Sequence, residues 1–128
     1  MRASPAALCC LAALSLPDVA PAQSLSGQNH ARLESKLRGL ATNLGRLNTE
    51  MARCGETRQA HYRAEIISTV ERFDIVDRAA LVDFVDRESA IAPASMGRCS
   101  PALARVYLER HLLGLGELDA FLWASARE

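Results

Sequence analysis

The chain has 128 residues with 15 basic and 15 acidic side chains, so no net field marks it for nucleic acid, an anionic membrane or an acidic partner. Aromatic content is only 5%, which removes the stacking platforms used by single-strand nucleic-acid binders. Basic charge is almost all arginine, with Lys36 the only lysine, and the length allows one domain of modest core.

The first residues read as an export leader. Arg2 gives a positive start, Ala6 to Leu16 is an apolar run, Pro17 breaks it, and Ala20-Pro21-Ala22 offers the small residues a signal peptidase reads. Residues 1–22 are assigned to this signal peptide, with cleavage after Ala22. The rival reading, a membrane anchor, fails on length, since about 11 apolar residues fall short of the roughly 20 a bilayer needs. Cys9 and Cys10 lie inside the run, without the small residue that precedes a lipidated cysteine, and are expected to leave with the leader. That predicts a periplasmic protein whose two remaining cysteines, Cys54 and Cys99, pair in an oxidising compartment.

Residues 23–29 are polar and read as a flexible lead-in, and residues 30–126 as a helical domain. From Leu33, the apolar residues Leu37, Leu40, Leu44, Leu47, Met51 and Cys54 follow at alternating four- and three-residue steps. The pattern puts one side chain per turn on a single seam and predicts a helix from about His30 to Arg53. Gly39 and Gly45 lie off the seam, as sites of close helix approach or as tolerated defects. Gly55 is a stop, because glycine adopts the left-handed conformation beyond a helix C-cap without strain. The seam also suits a coiled-coil dimer, but intrachain packing is the reading adopted.

A second helix is expected from Glu56 or Thr57 to Phe73, with Tyr62, Ile66, Ile67, Val70 and Phe73 as its apolar stripe. Asp74 or Asp77 caps a third, whose inner face is Leu81, Phe84, Val85 and Ile91. Pro93 ends it, and residues 92–98 read as a loop. The last helix opens on Ser100 as N-cap and Pro101 at the first position. It carries Leu103, Val106, Tyr107, Leu113, Leu118, Phe121 and Leu122, so it is apolar around most of its circumference, and Gly114 and Gly116 are candidate kinks.

Four helices joined by short turns alternate in direction, which brings the end of the first helix and the start of the fourth to one end of the molecule. The predicted fold is therefore all-α, a small antiparallel up-down-up-down four-helix bundle with one disulfide, Cys54–Cys99. The bond closes a loop of about 46 residues, worth on the order of 4 kcal/mol in the chain-entropy model.

No motif assigns chemistry. Neither cysteine begins a Cys-x-x-Cys pair, and Gly114-Leu-Gly116 lacks the third glycine and preceding strand of a dinucleotide site. His61 with Glu65, and Glu109 with His111, are two-member sets that do not define a metal site. The acids Asp74, Asp77, Asp83, Asp86 and Glu88 alternate with Arg72, Arg78 and Arg87, the pattern of a wet helix face. No catalytic residue, metal or cofactor is assigned.

Leu44-Gly45-x-Leu47 before Cys54, then Arg78-x-x-Leu81-x-x-Phe84, then Cys99-Ser-Pro-Ala opening the last helix, resembles an uncharacterised family of small exported alphaproteobacterial proteins. The resemblance covers residues 40–120 and implies the fold and a bridge between the two cysteines; Val85-Asp86-Arg87-Glu88 departs from the aromatic-glycine feature expected there. It implies no activity. The functional expectation is a non-enzymatic interaction module for another envelope protein, an accessory subunit, chaperone or inhibitor, with Phe121, Leu122 and Trp123 as the partner-binding cluster. The alternatives are an envelope-polymer hydrolase using the third-helix carboxylates and a structural subunit of a membrane complex.

Overall fold

Leu33, Leu37, Leu40, Leu44, Leu47 and Met51 are all buried, and the helix that carries them is the axis of the fold. A computed structural model describes residues 25–56, 58–91 and 97–126. The expected leader with its cleavage site, and residues 92–96 of the expected loop, lie outside the described residues. Among the described residues there are four helices and no strand: α1 (Gly27–Arg53), α2 (Gln59–Glu71), α3 (Arg78–Ile91) and α4 (Pro101–Ala126).

The first helix begins three residues earlier than the leucine spacing predicts, because Ser26 is its N-cap, with Oγ accepting from the Asn29 amide at 3.2 Å. The last residues of the polar lead-in are therefore helical. At the other end Gly55 takes φ 78°, the left-handed stop expected of it. The second helix starts later than expected, at Gln59, with no side-chain cap. Asp77, not Asp74, caps α3: its Oδ2 accepts from Ala80 N at 3.0 Å and its carbonyl from Leu81 N at 3.0 Å. Asp74 instead makes the turn, at φ 51°. Ser100 caps α4 through Leu103 N at 3.2 Å, as its sequence promised.

Helix length decides the architecture. α1 and α4 have 27 and 26 residues, whereas α2 and α3 have 13 and 14. At about 1.5 Å per residue the long pair spans some 40 Å and each short helix only half that. α1 packs extensively on both α4 and α3, while α3 and α4 make little contact with each other. The result is a helical bundle centred on α1, not a four-square one.

Named pairs fix the register. Asn43 Nδ2 donates to the Tyr107 carbonyl at 2.8 Å, Leu40 lies against Gly114, and the Lys36 ammonium sits over the Phe121 ring. Residue numbers rise on one helix as they fall on the other, so α1 and α4 run antiparallel. Cys54 and Cys99 complete the same series at bonding distance, their Cα atoms 4.8 Å apart. The covalent tie predicted from the parity of the helix count is present.

The α1 seam is consumed inside the chain. Tyr62, Ile66, Ile67 and Val70 of α2, Leu81 and Val85 of α3, and Leu118 and Leu122 of α4 join it in one core. Burial of each such side chain stabilises the fold by about 1.5–3 kcal/mol, and no leucine of the seam is left to pair with a second chain.

Candidate interaction surface

The acids of α3 are largely exposed and tied down by arginine. Arg63 donates from Nε and Nη2 to the two carboxylate oxygens of Asp86 at 2.6 and 2.9 Å. Arg38 of α1 donates to Glu88 at 2.7 Å, and Arg87 to Asp83 one turn away at 2.9 Å. The hydrogen bonds from Arg63 hold the Asp86 carboxyl below the ordinary aspartate value, a direction opposite to that of a general acid. Asp74 and Asp77 are occupied with the turn and the cap. The arrangement suits salt-bridged solvation better than proton transfer.

The histidines regroup in a way their sequence neighbours do not suggest. His111 is wholly buried, with Nε2 3.0 Å from Oε1 of Glu65 and the Tyr62 ring edge-on at a centroid distance of 5.2 Å. Glu109, the acid closest to it in sequence, lies two residues away on the exposed side of the helix. His61 stands 3.8 Å from the same Glu65 oxygen. With the carboxylate as acceptor, His111 carries its proton on Nε2, and among the described residues its Nδ1 has no hydrogen-bond partner. Among the described residues no group of three or more His, Cys, Asp or Glu side chains is arranged to hold a metal ion. Glu50, a residue the leucine pattern hides, is also buried at the upper end of α1, where Arg53 bonds it at 3.0 Å.

A groove of about 620 Å³ runs between α1 and α4 over Gly39 and Gly114, lined by Lys36, Arg46, Arg110 and Glu117 among others. At the disulfide end a second hollow of about 500 Å³ lies among Met51, Tyr62, Arg58 and Leu108. Both are open to solvent.

The outer face of α4 is the distinctive surface. Among the described residues every exposed large apolar side chain lies on it: Val106, Leu112, Leu113 and Trp123 are 39%, 54%, 65% and 53% accessible. The cause is the length mismatch. α2 and the turn after it meet α4 through Glu65 with His111, Arg72 with Asp119 and Phe73 with Trp123, so they flank one side of that helix. Among the described residues, nothing covers the side opposite α1.

The predicted cluster of Phe121, Leu122 and Trp123 is divided by this geometry. Leu122 is buried and Phe121 half-buried against the core, while Trp123 faces outward with its edge on Phe73. Three consecutive helical residues point about 100° apart and cannot share one face. Val106 and Leu113, read from the sequence as part of the general apolar wrap, belong with Trp123 on the open side.

No family model, curated protein or solved structure matches the chain.

Proposed function

We propose that this protein is a non-enzymatic binding module of the bacterial envelope, docking on another protein through the outer face of α4. The observation that carries the proposal is the confinement of exposed large apolar side chains to that one helix. A monomer of this size gains nothing from leaving Leu112 and Leu113 in water, whereas an interface gains from an aromatic anchor such as Trp123 beside them. The arginine-tied carboxylates of α3 favour this reading over a hydrolase.

Export to the periplasm, with cleavage after Ala22, belongs to the same proposal. It is supported by the leader composition, by the Cys54–Cys99 bond, and by the lack, among the described residues, of any helix long and apolar enough to cross a membrane. Kinship with the small exported alphaproteobacterial family is likewise proposed on the anchors quoted above.

The test is affinity purification of the tagged protein from envelope fractions, with a Leu113→Glu variant beside it. Leu113 is exposed, so the variant folds. A partner recovered with the wild type and lost with Leu113→Glu is the expected result. Equal recovery with both overturns the docking surface, and recovery with neither overturns another envelope protein as its partner.

A further inference from the structure

We propose that the outer face of α4 pairs with the same face of a second copy of this chain, the two helices antiparallel about a two-fold axis at Leu113. The proposal rests on the reading of that face as an interface and names what covers it. Val106, Leu113 and Ala120 are spaced seven residues apart and form the middle column of the exposed face. One flank of this column carries Arg110 and Glu117; the other carries Glu109, Gly116 and Trp123, with Arg105 at its edge.

A two-fold antiparallel pairing brings each flank against its own copy. Centred on Leu113, it sets Val106 opposite Ala120 of the second copy and Arg110 beside Glu117 of the second copy, and symmetry repeats both contacts. On the other flank Arg105 comes to the Trp123 ring of the second copy, a cation–π geometry, while Gly116 leaves room opposite Glu109. A parallel pairing would set each flank against the opposite one and lose both the Arg110–Glu117 and the Arg105–Trp123 contacts.

The charges are available for this. Among the described residues Arg105, Arg110 and Glu117 form no ion pair within their own chain, whereas Arg38, Arg53, Arg63, Arg72, Arg78 and Arg87 do. Arg110 lies over the Tyr107 ring, 5.8 Å from its centroid. The leucine seam of α1, the other heptad in the chain, is already buried and offers no competing surface.

Sedimentation equilibrium of the purified, oxidised chain from micromolar to millimolar concentration tests this. The wild type is expected to show a monomer–dimer equilibrium, and Leu113→Glu to be monomeric with an unchanged unfolding midpoint. Arg110→Glu and Glu117→Arg should each weaken the dimer about tenfold, by setting like charges together at both symmetric contacts, and the double reversal should restore it. A monomer at every concentration, a dimer indifferent to Leu113→Glu, or a double reversal that fails to rescue overturns the pairing. If the chain is monomeric yet Leu113→Glu still abolishes capture of an envelope partner, only self-pairing falls; if that substitution changes neither, the interface reading falls with it.

Discussion

Leu40 and Gly114 meet so closely that a methyl group built on Gly114 would lie 2.7 Å from Cδ2 of Leu40. The helix α4 runs unbroken past this glycine from Pro101 to Ala126. Gly114 lets the two long helices approach at mid-height, beside the hydrogen bond from Asn43 to Tyr107.

Two glycines on one helix should therefore respond to alanine with opposite signs. Gly114→Ala gains helix propensity of up to about 1 kcal/mol, but overlap with buried Leu40 costs about 1–3 kcal/mol, for a net loss of about 1 kcal/mol. Gly116 has no atom within 4 Å of the added carbon, so Gly116→Ala should stabilise by about 0.5–1 kcal/mol. Urea unfolding of both variants in oxidising buffer reads the difference; stabilisation at Gly114 would mean the helices are not held that close.

The His111–Glu65 bond gives a coupled pair. Glu65→Ala leaves a buried imidazole N–H without its acceptor, at a cost of about 1–3 kcal/mol. In a His111→Leu background nothing polar remains to be stranded, so the same Glu65→Ala change should cost clearly less. A double-mutant cycle measures this, and strictly additive losses would show that the bond contributes nothing to stability.

How legible the molecule was in its sequence depended on whether burial was one-sided. The α1 leucines were readable because they form one narrow stripe at helical spacing on their helix, and every one of them is in the core. Ser100-Pro101 and Gly55 were readable because capping and left-handed turns are local chemistry. The inner face of α4 was not, because apolar residues surround it. What sends Leu122 inward and leaves Leu113 out is the approach at Gly114 and the shortness of α2, both tertiary facts. His111 with Glu65 was equally hidden, since the two lie on different helices and each has a nearer candidate in sequence.

The Arg63–Asp86 pair predicts a pH dependence of defined sign. Hydrogen bonding to Arg63 lowers the Asp86 carboxyl from its ordinary 3.8, so its contribution is complete above that value and is lost as pH falls through the lower folded value. Both groups are exposed, which limits the effect to at most about 1 kcal/mol. Asp86→Asn should be slightly less stable than wild type at pH 7, and the gap should close in acid below pH 3.8. A gap that persists or widens there would assign the loss to packing and not to charge.

Removing the Cys54–Cys99 bond should act on the unfolded chain. Cys54 is only half-buried and Cys99 exposed, so replacing both with alanine forfeits little apolar burial in the native state. The contacts that set the α1–α4 register, Asn43 with Tyr107 and Leu40 with Gly114, remain. What changes is the freedom of the denatured segment between residues 54 and 99, worth on the order of 4 kcal/mol in the chain-entropy model. The Cys54→Ala/Cys99→Ala variant should accordingly keep the wild-type far-UV circular dichroism at low temperature while its urea midpoint drops. Its m-value should rise as the released chain exposes more surface. The same drop should follow when the wild type is reduced, because the bond and not the sulfur atoms carries the effect. Equal midpoints for the oxidised wild type and the variant would show that native packing alone holds the two long helices in place.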